Sequence, residues 1–116
     1  MWGGDGFSEG ALSALVAYAD AVSAPHRATK NLYFDETQLA LMLRGRRDTL
    51  ERMATLNRQI GVGRILYGSD DPIFGNEQPA KAWGTFRREL PLADDEVTTI
   101  ANNIAPYLRY RRVRLI

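Results

Sequence analysis

The fold is decided by one stretch near the middle of the sequence, Arg64-Ile65-Leu66-Tyr67-Gly68-Ser69-Asp70-Asp71-Pro72. Its residues 65–67 are apolar, and their β-branched and aromatic side chains are typical of a short buried strand. Gly63 and Gly68 bracket the apolar run, and Pro72 ends any regular structure. Asp70 therefore closely follows the carboxyl end of a strand, which in α/β folds is the end where ligands bind.

A second apolar run and an amphipathic segment between the two runs predict a β-α-β unit. We expect one strand over about 30–35 and the other over about 64–68. Between them, a helix over about 48–60 carries four apolar residues on one side, Leu50, Met53, Leu56 and Ile60. Gly61 is a suitable end for that helix. Because a helix connects the strands, they should pair in parallel with a right-handed crossover.

Three further helices complete the predicted α/β fold. Apolar residues at three- and four-residue spacing indicate helices over about 8–22, 79–89 and 94–104. Pro79 suits the first turn of the second of these, and Pro106 stops the last. We therefore predict two parallel strands and about four helices.

The composition excludes several classes of function. A net charge of +1 over 116 residues gives no overall field that would favour nucleic acid or a membrane surface as partner. The absence of cysteine excludes a disulfide framework, a thiolate metal site and a cysteine nucleophile. No apolar run approaches the roughly 18 residues of a membrane span. The first residues lack the pattern of a signal peptide, so we expect a cytoplasmic protein.

Residues 65–72 resemble the ending of the last barrel strand in metal-dependent hydrolases of the amidohydrolase superfamily, most closely the amidohydrolase-related (family 2) branch. Residues 30–35 are similar to the preceding strand of that family, and residues 90–108 resemble its closing helix. The resemblance covers residues 1–108 and implies the carboxyl-terminal part of a (β/α)₈ barrel, which in full needs about 250 residues. The basic tail, residues 109–116, departs from the family pattern.

The resemblance implies a role for Asp70. In the resembled enzymes, histidines from earlier strands hold a divalent metal, usually zinc, and the aspartate in this position contacts the metal and the attacking water. Asp70 is thus implied as both catalytic and metal-binding, since a carboxylate can accept the proton of that water. The implied reactions are hydrolysis of amides, esters or lactones in a small-molecule substrate, and decarboxylation in some relatives.

The same resemblance implies that the isolated chain is inactive. A catalytic zinc site needs about three protein ligands. This chain offers Asp70 and one histidine, His26, which lies in a predicted loop and is expected to be exposed to solvent. We therefore expect no cofactor and no hydrolase activity for the chain alone.

Several other residues have both a structural and a functional interpretation. Asp35 either lines the mouth of a site or caps a turn, and the turn is favoured. Trp83 and Phe86 are expected in the core rather than in a cofactor site. Arginines at 44–47 and 109–114 suggest a weak binder of anions or nucleic acid, although a solvated loop and tail are favoured.

Besides a weak anion binder, two hypotheses for the function of the whole chain therefore remain. One is part of a hydrolase, and the other is a non-catalytic α/β interaction module. Two parallel strands leave sheet edges that other elements normally cover. We expect the chain to self-associate or to dock with the missing part of a barrel.

Overall fold

The computed structural model describes residues 9–24, 27–36, 43–69, 71 and 78–108. Within them, the order of the main elements is α1 (Glu9–Ser23), β1 (Phe34–Asp35), α2 (Arg47–Ile60), β2 (Ile65–Leu66), α3 (Pro79–Glu89) and α4 (Asp94–Asn102). Short 3₁₀ helices lie at Arg27–Thr29, Val62–Arg64 and Pro106–Leu108. The predicted tail, residues 109–116, lies outside the described residues. No helix in the described part of the chain is long and apolar enough to span a membrane.

The two strands form a parallel sheet, with Phe34 paired to Ile65 and Asp35 paired to Leu66. Because α2 lies between them in sequence, the predicted β-α-β unit with parallel pairing is confirmed. The chain is an α/β protein with a two-stranded sheet in its described part.

Each strand is shorter than predicted, and Arg64 gives the reason for β1. Its guanidinium donates to the carbonyl oxygen of Thr29 and, at 3.1 Å, to that of Leu32. The N–H of Leu32 also bonds to the carbonyl of Thr29 at 3.2 Å, which closes a turn. These contacts hold the residues before Phe34 in a turn instead of the predicted strand.

The last helix also ends earlier than the predicted residue 104. Asn103 has an extended backbone, with φ −70° and ψ 132°. Its side-chain amide donates to the carbonyl oxygens of Val62 at 2.7 Å and Ile65 at 2.8 Å. Pro106 also disfavours helical backbone at the residue before it. The helix therefore ends at Asn102, because the next residue bonds to the backbone at the start of β2.

The core lies between the sheet and the helices. The predicted apolar face of α1 is confirmed, since Ala19 is fully buried and Leu12, Leu15 and Val16 pack against the core. The largest fully buried apolar side chains come from the other elements and from the turn before α2: Leu43, Met53, Ile65, Phe86, Leu90 and Ile100.

An ion pair joins the end of α2 to the start of α4. Arg58 donates to both carboxylate oxygens of Glu96, at 2.7 Å and 2.9 Å, and to the carbonyl of Pro91 at 3.0 Å. Glu96 also accepts the N–H of Ala93 at 2.7 Å, which is half of a capping box. The hydrogen bond from Arg58, followed by that from Ala93, holds the pKa of Glu96 below its usual value. This network therefore joins α4 to the end of α2, the helix that precedes β2 in sequence.

Candidate functional site at the carboxyl edge of the sheet

The two strands end at the same edge of the sheet because they are parallel. The N–H of Glu36 donates to the carbonyl of Leu66 at 2.9 Å, so the backbone pairing continues one residue beyond β1. This bond joins the end of β1 to the end of β2. Tyr67, Gly68 and Ser69 follow β2 in sequence. Asp70, the predicted catalytic and metal-binding residue, follows Ser69 in sequence but lies outside the described residues, as does His26.

The two faces of the sheet differ at this edge. Phe34 and Ile65 are register partners on the face that the helices cover, where Ile65 is fully buried. Phe34 packs edge-on against Tyr18 of α1, with ring centroids 5.2 Å apart. Asp35 and Leu66 are partners on the opposite face, because side chains alternate along a strand. Asp35 is exposed, so it presents a carboxylate on the less covered face.

Glu36 is a candidate residue that the sequence analysis missed. Its side chain is only 5% exposed, and it shares the helix-covered face with Phe34. Asn57 of α2, which is fully buried, donates its Nδ2 to Glu36 Oε2 at 3.0 Å. The other two oxygens of this pair, Glu36 Oε1 and Asn57 Oδ1, have no hydrogen-bond partner among the described residues.

The surroundings of Glu36 make its carboxyl group a weak acid. Burial raises the pKa of Glu36 to about 7. The hydrogen bond from Asn57 acts in the opposite direction, and the negative charge of Asp35 adds to the rise. The group is therefore close to half protonated at neutral pH, and pKa values in this range are typical of groups that transfer protons.

One signal in the sequence pointed to this pair. Asn57 lies on the apolar face of α2, four residues after Met53 and three before Ile60. A buried amide needs hydrogen-bond partners, so a polar residue in that position indicates a polar group opposite it. Nothing in the sequence indicated that the partner is Glu36.

Three aromatic rings anchor the chain where it leaves β2. Tyr67 packs against Trp83 at 4.9 Å and against Phe86 at 5.0 Å between ring centroids. Trp83 and Phe86 stack on each other at 5.4 Å. The prediction that Phe86 belongs to the core is confirmed, and Trp83 packs against that core.

A shallow cavity of about 330 Å³ lies beside this aromatic cluster. Its described lining consists of Tyr67, Trp83, Ile100, Ala101 and Asn103. The side-chain nitrogen of Asn103 donates to two backbone carbonyls. The other polar atom of this side chain is Oδ1, which is a hydrogen-bond acceptor. The described part of this lining is apolar and aromatic apart from the amide of Asn103 and the phenol of Tyr67.

The described residues do not fit the divalent metal that the family resemblance implies. Among them, no group of three or more His, Cys, Asp or Glu side chains could hold a metal ion. The whole sequence contains one histidine and no cysteine, whereas a catalytic zinc site takes about three protein ligands. No chemical step through a metal follows from these residues.

Comparisons with models of known protein families, with curated protein sequences and with solved structures found no match to this chain.

Proposed function

We propose that the chain is the carboxyl-terminal part of an amidohydrolase-related, metal-dependent hydrolase that acts on amide, ester or lactone bonds or catalyses a related decarboxylation. The observation that carries this proposal is the parallel β1-α2-β2 unit, in which pairing persists to the bond between Glu36 and Leu66. The segment Gly68-Ser69-Asp70 therefore starts where β1 also ends. Ligands bind at this edge in α/β folds.

Asp70 has the central chemical role in this proposal. Its carboxylate accepts a proton from the attacking water and orients that water toward the substrate carbonyl. Asp35 supplies a second carboxylate on the less covered face of the same edge. The metal ligands of such an enzyme would include histidines that this sequence does not contain, and the remaining strands of the barrel would extend this sheet.

A second candidate function is a non-catalytic α/β interaction module, and one observation favours it. The carbonyl of Leu66 points toward β1, so that of its neighbour Ile65 points away from β1. Asn103 donates its side-chain amide to that oxygen at 2.8 Å. The outer edge of β2 is thus covered at its start by a side chain of this chain, as in a sheet that ends there.

An activity assay tests the proposed hydrolase. The purified 116-residue chain, with zinc or manganese added, should give no turnover of generic esters, lactones or amides. A longer chain that includes the in-frame sequence upstream of the Met1 codon should contain further β/α units with histidines and should show metal-dependent turnover. In that longer chain, Asp70→Asn should lower kcat by about 10²–10⁴-fold, the usual contribution of a general base.

Asp71→Asn is the matched control, since it removes the neighbouring carboxylate and should leave turnover close to that of the parent. If the 116-residue chain showed turnover and Asp70→Asn abolished it, the expected inactivity of the chain would be wrong. If kcat fell equally in the two variants, or did not fall in Asp70→Asn, the role proposed for Asp70 would be wrong. A stop codon directly upstream would favour the interaction module.

A further inference from the structure

The buried pair formed by Glu36 and Asn57 contains two oxygen atoms that lack a hydrogen-bond donor among the described residues. Asn57 Nδ2 donates to Glu36 Oε2 at 3.0 Å, and the partner oxygens Glu36 Oε1 and Asn57 Oδ1 are both buried without a hydrogen-bond partner among the described residues. Two buried acceptors without a donor are costly, because each has lost its water. Each of these oxygens could accept a hydrogen bond that the described residues do not supply.

A proton on Glu36 supplies that donor. A neutral carboxyl group has one O–H donor and one carbonyl acceptor, and a carboxamide likewise offers both functions. The two groups can therefore exchange two hydrogen bonds, one from Asn57 Nδ2 to Oε2 and one from the O–H on Oε1 to Asn57 Oδ1. An ionised Glu36 cannot make the second bond.

We propose that Glu36 and Asn57 form a proton-dependent latch, in which the protonated carboxyl holds the end of β1 against α2 and its ionisation weakens that hold. The latch acts on the carboxyl edge of the sheet. The N–H of Glu36 also bonds to the carbonyl of Leu66, so loosening at Glu36 reaches the end of β2, where the segment leading to Asp70 begins. The latch does not depend on the proposed hydrolase function.

The groups around Glu36 determine the pH at which the latch weakens. From β1, Asp35 contributes a negative charge that disfavours ionisation. From α2 the contact is the neutral amide of Asn57, flanked by the apolar Met53 and Ile60. From β2 the residue level with Glu36 is the aromatic Tyr67. Burial therefore outweighs the hydrogen bond from Asn57, and the pKa of Glu36 rises to about 7.

Carboxyl NMR tests the latch on the unmodified chain. The side-chain carboxyl carbon of Glu36 should titrate with a midpoint near pH 7, compared with 4.5 for an ordinary glutamate. Hydrogen exchange of the Glu36 amide, corrected for intrinsic base catalysis, should accelerate about tenfold per pH unit between these two values and level off above them. A Glu36 midpoint near 4.5 would overturn the proposal.

Two variants with the same change in charge separate the latch from general effects of pH. Glu36→Gln replaces the neutral acid with a group that also has one acceptor and one donor for Asn57. Its corrected amide exchange at position 36 should stay slow and independent of pH. Glu51→Gln changes an exposed carboxylate on α2 and should behave like the parent chain. Persistence of the pH dependence in Glu36→Gln would assign it to another group and would contradict the latch.

Discussion

Raising the pH from about 5 to about 8 is expected to lower the free energy of unfolding by about 2–3 kcal/mol through Glu36 alone. The pKa of Glu36 is raised from 4.5 to about 7 in the folded chain. Between these values the folded chain keeps a proton that the unfolded chain has released. Stability from this group is therefore fully present below pH 4.5, falls as the pH rises, and reaches its lowest level above pH 7.

Urea unfolding of the parent chain and of Glu36→Gln, at several pH values, measures this effect. The difference between their unfolding free energies isolates Glu36 from other carboxyl groups. Glu96, whose pKa is lowered by Arg58, acts in the opposite direction with pH but contributes equally to both proteins. Glu36→Gln should gain stability relative to the parent as the pH rises, while Glu51→Gln should follow the parent. Parallel stability curves for parent and Glu36→Gln would show that Glu36 ionises normally.

Truncation of Phe86 is expected to have the largest effect on stability, a loss of about 3–5 kcal/mol. Phe86 is only 1% exposed, and its ring contacts both Trp83 and Tyr67. Phe86→Ala leaves a cavity between α3 and the end of β2 and removes a support for Tyr67. Denaturant unfolding should show a lower midpoint with a similar slope, because the folded state is weakened without a change in its size.

Tyr18→Ala is the control for this substitution. Tyr18 is also aromatic and contacts Phe34 at 5.2 Å, but it is 44% exposed. Its truncation should reduce the free energy of unfolding by about 1 kcal/mol. If Phe86→Ala were no more harmful than Tyr18→Ala, the packing of α3 against Tyr67 described above would be wrong.

The helices were predictable from the sequence because each has an apolar face that matches the helical period. The apolar face of α1 and the helix α2 between two strands are both confirmed, and the latter also made the parallel pairing predictable. The bounds of β1 and α4 were not predictable. They depend on Arg64 and Asn103, whose side chains bond to backbone carbonyls more than 30 residues away in sequence.

The candidate site was predictable only in its position along the chain. The run of residues 65–67 correctly indicated where the carboxyl edge of the sheet lies. Glu36 was missed because a charged residue after a short strand is usually exposed, and its burial depends on α2 packing over the strand end. The role of Asp70 and the extension of the sheet to a barrel stay predictions.

The central claim is that the parallel strands bring the segment containing Asp70 to the end of β1. The chain has no cysteine, so Asp70→Cys carries a single nitroxide label. Gly63→Cys is the control at the amino end of β2, where an added Cβ meets no atom within 4 Å. Paramagnetic broadening from position 70 should be stronger at the amides of Asp35 and Glu36 than at Gly61, and the control should reverse that order. Stronger broadening at Gly61 from the label at position 70 would contradict the shared carboxyl edge and the function built on it.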